Sequence, residues 1–250
     1  MPLFGRSLVY SVCLVLYGVY LIVCYGHTKM KLRLAIFDMS GTTVDDVVDG
    51  LPLVLKCYDD AFREHGISIP FNVLNDQRGR DKRAVINEFG GSEASAIYES
   101  FVHSLLKNVG RIREIEGVSQ VFSDLHHNDV LVAAGSGFPI DVSKAIIEKL
   151  GWEKNGFLDY WTCSEAVGKS RPDPIMIHSI MKHLKVNDPL SVIKVDDTAV
   201  GIEEGVRAGV ITLGVLTGTQ NSEKLQKANP NSILESVRDL IPYLTFNGLL

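Results

Sequence analysis

The sequence predicts an α/β fold: a doubly wound parallel sheet with a helical cap inserted after its first strand. Three observations predict it. Short apolar runs alternate with helical stripes through the second half of the chain, the rhythm of a parallel sheet wrapped by helices. Several of those runs stop abruptly at polar residues, at the carboxyl ends where open parallel sheets place their chemistry. An all-helical block separates the first apolar run from the rest.

That first run, Leu34-Ala35-Ile36-Phe37, is too short for a helix and reads as a strand buried on both faces. Asp38-Met39-Ser40-Gly41-Thr42-Thr43 follows at once. Leu51, Val54, Leu55, Tyr58 and Phe62 then keep helical spacing up to Gly66. Residues 67–73 read as a loop around Pro70. A basic stretch, Arg78-Gly79-Arg80-Asp81-Lys82-Arg83, leads into a short helix that Gly90-Gly91 ends, and a second stripe runs through Ile97, Phe101, Leu105 and Leu106 to Gly110.

From Gly117 the strand–helix alternation begins. Helix 118–125 precedes strand 130–134, then Gly135-Ser136-Gly137, and Pro139 opens a helix that Gly151 caps. A strand near 158–163, a helix from the Arg171-Pro172-Asp173-Pro174 turn to His183, and strand 192–195 ending in Asp196-Asp197-Thr198 come next. Helix 199–208, strand 210–215, strand 233–234 and helix 237–244 complete the series. Residues 30–46 and 114–250 thus form the expected catalytic core, and residues 47–113 the cap.

Residues 1–29 differ in character. Leu8 to Tyr25 carries no charge and would span roughly 27 Å as a helix, enough for a bilayer core. Lys29, Lys31 and Arg33 outweigh Arg6, so positive-inside logic leaves the following part in the cytosol. The segment is either a single-pass transmembrane anchor or a mis-annotated leader before a start at Met30. The net charge of -5 excludes the electrostatic footprint of a nucleic-acid binder. The four cysteines include no CxxC pair, so neither a zinc site nor a disulfide framework is indicated, and the folded part is expected in the reducing cytoplasm.

Four strand ends could share one site: Asp38, Ser136, the Lys169-to-Arg171 loop and Asp196-Asp197. A carboxylate nucleophile, a hydroxyl, a cation and further carboxylates are the set that phosphoryl transfer requires. Asp38 would attack phosphorus. Asp38 and Asp197 would hold Mg2+, a hard cation suited to carboxylate oxygens, which offsets the repulsion between nucleophile and anionic substrate. Ser136, with Gly137 beside it, and Thr42 would meet the phosphoryl oxygens, and Arg171 or Lys169 would neutralise charge near Asp38. Glu203-Glu204 reads as a solvated helix face.

Over residues 32 to about 244 this order of motifs resembles the haloacid dehalogenase superfamily, whose core is Rossmann-like. Asp38-Met39-Ser40-Gly41-Thr42-Thr43-Val44-Asp45 is similar to the phosphonoacetaldehyde hydrolase (phosphonatase) branch. Most phosphatases of the superfamily carry an acid at the position of Ser40; the branch does not, and activates its leaving group through a Schiff base on a cap lysine. The resemblance implies that role for Lys82, with Arg80 in substrate binding and the Ser40 carbonyl on the metal. The chain departs from the branch at Arg78 and Val85, where the branch has methionine and histidine, and at Phe138, where it has tyrosine. The superfamily's fourth motif ends in an aspartate where this chain has Gly201, and Asp196 is the candidate to compensate as a further metal ligand.

The expected activity is therefore Mg2+-dependent hydrolysis of a small phosphonate such as phosphonoacetaldehyde. The rivals are a phosphatase for small phosphate monoesters, a metal-independent dehalogenase, and a catalytically impaired binding or regulatory module. A small phosphorylated or phosphonate substrate and a second copy of the chain are the candidate partners.

Overall fold

Six parallel strands make the central sheet: β1 Leu34–Phe37, β2 Leu131–Ser136, β3 Tyr160–Cys163, β4 Val192–Asp196, β5 Ile211–Val215 and β6 Ser232–Leu234. Their order is β6-β5-β4-β1-β2-β3. The chain builds outward from β1 through β2 to β3, then crosses back and continues from β4 on the other side. The order therefore reverses at β1, and that reversal opens a crevice at the strands' carboxyl ends. Phe37 is in register with Ala134 of β2 and Val195 of β4, so the residues following all three strands emerge together.

This computed structural model describes residues 31–250 and, before them, the antiparallel pair Val15–Leu16 and Val19–Tyr20. The candidate transmembrane span 8–25 otherwise lies outside the described residues. Its described positions are strand rather than helix, and among the described residues no helix is long and apolar enough to cross a membrane.

The sheet is hydrophobic because both faces are covered. All of β1 and β4 is buried: β1 is wholly apolar, and β4 is apolar apart from Lys194 and Asp196. On one face Phe37 packs against Phe122 at 5.1 Å between ring centroids, and Phe122 against Trp152 at 5.4 Å. On the other, Leu34 and Ile36 meet Met176, Ile177 and Ile180.

Ahead of helix Val118–His127, which leads into β2, four α-helices follow β1: α1 Leu53–Glu64, α2 Phe71–Asp76, α3 Lys82–Gly90 and α4 Ala94–Asn108. Their own core centres on Tyr58 of α1 stacked on Phe101 of α4 at 4.5 Å. Short strands Val44–Asp45 and Arg113–Glu114 pair antiparallel where the chain leaves the sheet and returns. α2 starts inside the expected 67–73 loop, because Pro70 at its N-cap, φ −57°, presets the first turn. The helix Ser222–Lys227, not anticipated from periodicity, is started by Asn221, whose side chain accepts from the Lys224 N–H.

Candidate active site

Asp38 follows β1 directly and is 5% exposed. Arg171, from the loop after β3, donates through Nη1 to Asp38 Oδ1 at 2.7 Å. The same guanidinium donates through Nη2 to the Gly135 carbonyl at 2.7 Å and through Nε to Glu204 Oε2 at 2.9 Å. Three bonds in one plane fix it, so it presents one edge to Asp38. Burial opposes its charge, but Asp38, Glu204 and Asp196 hold its proton more tightly than usual. Lys169 is exposed and takes no part.

Asp196 ends β4 and is fully buried. Its Oδ2 accepts from Lys194 Nζ at 2.7 Å and lies 3.5 Å from Arg171 Nη1; its Oδ1 accepts from the Thr198 hydroxyl at 2.7 Å and the Thr198 N–H at 3.0 Å. Burial works against its ionisation, but Lys194 and Arg171 keep the carboxyl below its ordinary range. Asp196 was expected on the metal; both of its oxygens accept hydrogen bonds, and it stays grouped with the Asp38 and Asp197 carboxylates. The carboxylate also fills the room above Gly201: a methyl group there would stand 2.0 Å from Asp196 Oδ2.

Asp197 is held differently. Its Oδ1 accepts from the Thr42 hydroxyl at 3.0 Å, and its Oδ2 is buried without a partner. Burial, then Asp196 and Asp38, push its carboxyl up to about 8. Gly41, at φ +84°, and Gly218 let the backbone pass against this carboxylate; a methyl group on either would lie within 2.5 Å of Oδ2. Thr42 was expected at phosphate, but its hydroxyl is committed to Asp197 and it does not line the cavity.

The loop before α3 closes over these strand ends. Gly79, at φ +84°, sits so near the core that a methyl group would be 2.5 Å from Thr198 Oγ1. Beneath the loop is a cavity of about 20 Å³ lined by Asp38, Ser40, Arg78, Lys82, Ser136 and Arg171, with Gly137 and Phe138 at its side. Ser136 Oγ accepts from the Phe138 N–H at 3.0 Å, which leaves its hydroxyl proton free for a ligand. Lys82 opens α3, is 5% exposed, and donates to the Arg80 carbonyl at 3.1 Å. Burial brings its amine down to about 8, with Arg78 and Arg171 pushing the same way and Asp38 opposing. Arg80 departs from expectation: its guanidinium pairs with Gln77 and Glu88, and only its carbonyl reaches the site.

A family profile of haloacid dehalogenase-like hydrolases matches residues 35–215. The chain belongs to this family. It is 29% identical over 258 residues to a phosphonoacetaldehyde hydrolase of Bordetella pertussis, covering 86% of this chain and 92% of that one. It is 30% identical over 208 residues to the Bordetella avium protein of the same name, covering 75% and 72%. A phosphonoacetaldehyde hydrolase-like protein from Oleispira antarctica superposes with a TM-score of 0.76 at 22% identity, over 87% of this chain and 92% of that one. A putative beta-phosphoglucomutase from Bacteroides vulgatus superposes with a TM-score of 0.74 at 17% identity, over 89% and 91%; both superpositions speak to fold.

In this haloacid dehalogenase-like hydrolase, Asp38, Asp196 and Asp197 bring carboxylate oxygens within 4.8 Å of one another. Hard oxygen donors, with one buried oxygen of Asp197 lacking a partner, fit a divalent cation. Three contributors escaped the sequence reading. Glu204 is fully buried against Arg171 rather than solvated. The signal was its company: Gly201, Ile202, Gly205 and Ala208 mark the inner face of helix Ala199–Ala208, and Glu204 shares it. Lys194, a lone cation inside an apolar strand, had to find a buried partner. Arg78 was noted as a neighbour of Lys82 and as a departure from the branch's methionine, without a role in the site, but it lines the cavity.

Proposed function

We propose that the chain hydrolyses the carbon–phosphorus bond of a small phosphonate, with phosphonoacetaldehyde the first to test, through an aspartyl-phosphate on Asp38. The observation that carries this is Lys82: a buried amine with its pKa brought down to about 8, lining the same cavity as Asp38, in a site with no acid at position 40. Ser40 cannot protonate a leaving group near neutral pH. A neutral lysine can instead convert a carbonyl into an imine.

The Lys82 amine adds to the aldehyde carbon and water leaves, giving a protonated imine. Asp38 attacks phosphorus, the carbon–phosphorus bond breaks, and its electron pair moves into the imine to form an enamine. Protonation of the enamine and hydrolysis of the imine release acetaldehyde and restore Lys82. Water then attacks phosphorus in the acyl phosphate and frees phosphate and Asp38. Arg171 orients the Asp38 carboxylate through its 2.7 Å hydrogen bond, and Ser136 donates its hydroxyl to a phosphoryl oxygen. Asp38, Asp197 and the Ser40 carbonyl would hold Mg2+, which supplies charge neutralisation between carboxylate and phosphonate. Asp196 positions Arg171 from behind.

Borohydride added with phosphonoacetaldehyde should inactivate the enzyme irreversibly and leave an ethyl group on Lys82, located by peptide mass spectrometry. Full turnover by Lys82→Ala would remove the imine route. A parallel panel of phosphate monoesters, with and without Mg2+, separates this activity from that of a phosphatase.

A further inference from the structure

Arg78 is a buried cation that the reaction above does not use. It is 5% exposed and belongs to the loop that closes over the site, fixed by its N–H bond to the Asn75 carbonyl and by the contact of Gly79 with Thr198. Its Nη2 donates to Ser40 Oγ at 3.0 Å. Its Nη1 is buried with no partner. Asp46 Oδ1 forms a buried ion pair with Nη2 at 3.7 Å, beyond hydrogen-bond reach, and lines a neighbouring groove that Arg78 also borders, so Nη1 keeps no hydrogen-bond partner. A guanidinium stays charged throughout the accessible pH range, and a buried donor left unpaired is costly. Such a group is built to meet an acceptor.

Within the proposed reaction the phosphoryl end lies against Asp38, so the organic end of the substrate faces Lys82, Ser40 and Arg78, which share the cavity lining. An aldehyde loses its one acceptor as water when the imine forms, and then offers Arg78 no partner. A carboxylate matches a guanidinium in charge and in planar geometry. We propose that Arg78 is a specificity-determining residue that binds a carboxylate on the organic part of the substrate, so that the enzyme prefers carboxylate-bearing phosphonates. A 3-phosphono-2-oxo acid joins both requirements, with a carbonyl for Lys82 and an adjacent carboxylate for Arg78. This inference rests on the assignment of Asp38 as the nucleophile.

The test compares two inert phosphonates of similar size, 3-phosphonopropionate and n-propylphosphonate, by calorimetry on the full chain with Mg2+. The wild type should bind the carboxylate-bearing compound roughly ten- to a hundred-fold more tightly, the range for a charge-assisted bond. Arg78→Met should bring the ratio near unity, and Arg78→Lys should keep part of it. In turnover, the wild type should favour 3-phosphonopyruvate over phosphonoacetaldehyde in kcat/KM, and Arg78→Met should reverse that order. Equal affinities in the wild type, or an unchanged ratio in Arg78→Met, overturn the role of Arg78. If Arg78→Met does not fold, as judged by thermal melting, the wild-type ratio and Arg78→Lys decide. Beryllium fluoride trapping of Asp38 in the wild type keeps the two levels apart. Trapping without carboxylate preference sinks only this inference; no trapping and no binding of either phosphonate sinks the nucleophile assignment with it.

Discussion

The carboxylate of Asp196 occupies the space that a side chain at Gly201 would need, since a methyl group there would stand 2.0 Å from Asp196 Oδ2. The two positions are alternatives. One carboxylate can serve Lys194 and Arg171 from the strand end or from the following helix, but not from both. Asp196→Gly should cost about 3–5 kcal/mol, because Lys194 is left buried and unpaired. Gly201→Asp alone should cost about 1–3 kcal/mol by overpacking. The double variant should be more stable than the two losses predict, with a favourable coupling above about 1 kcal/mol. Urea unfolding of all four proteins measures it, and strict additivity would separate the two sites.

Arg171 owes its aim at Asp38 to Glu204, whose Oε2 accepts from Nε at 2.9 Å. Glu204→Gln keeps the shape and removes the charge, so kcat should fall by about tenfold with KM little changed. Arg171→Met removes the cation beside the nucleophile and should lower kcat by about 10²–10³. Steady-state kinetics on the pair distinguishes the positioning role from the contact role.

Lys82 titrates near 8 when folded, against 10.5 as an ordinary lysine. Between those values the unfolded chain binds more protons than the folded one, so stability gained from this group rises with pH. Below pH 8 the full cost of burying the charge is present, about 3 kcal/mol at most. Lys82→Met should therefore raise stability at neutral pH and flatten its rise above pH 8 in urea titrations. In the wild type, kcat/KM should climb as the amine loses its proton and level off above about pH 8.

Metal removal should silence the enzyme and destabilise it together. The unpartnered Asp197 Oδ2 stands in a buried carboxylate cluster with Asp38 and Asp196, a set of donors suited to a divalent cation. Added Mg2+ at a hundred times its dissociation constant should restore about 2.7 kcal/mol of stability by mass action. Asp197→Asn should abolish that gain in thermal melts, whatever its effect on turnover.

The elements were legible where periodicity was long and ended cleanly. Helix Ala199–Ala208 lies at the bounds read from the sequence, and the abrupt polar ends of the first, second and fourth strands of the sheet pointed to the crevice. Short helices were hidden because a six-residue span such as Phe71–Asp76 is set by its Pro70 cap more than by a stripe. Within the site, residue types were legible but partners were not. Arg80 and Arg78 look alike in a basic run, and only the turn at Gly79 decides which guanidinium is buried over Ser40 and which pairs with Glu88. Glu204 looked solvated because Glu203, one residue earlier on the same helix, is half-exposed and pairs with Arg207.

The central claim is that Asp38 carries the phosphoryl group. Acid quenching during steady turnover, followed by borohydride reduction and peptide mass spectrometry, tests it directly, because reduction of an aspartyl-phosphate leaves homoserine. The account predicts homoserine at position 38 in enzyme quenched with substrate and none without it. An unmodified Asp38 in enzyme that is actively releasing phosphate would contradict it.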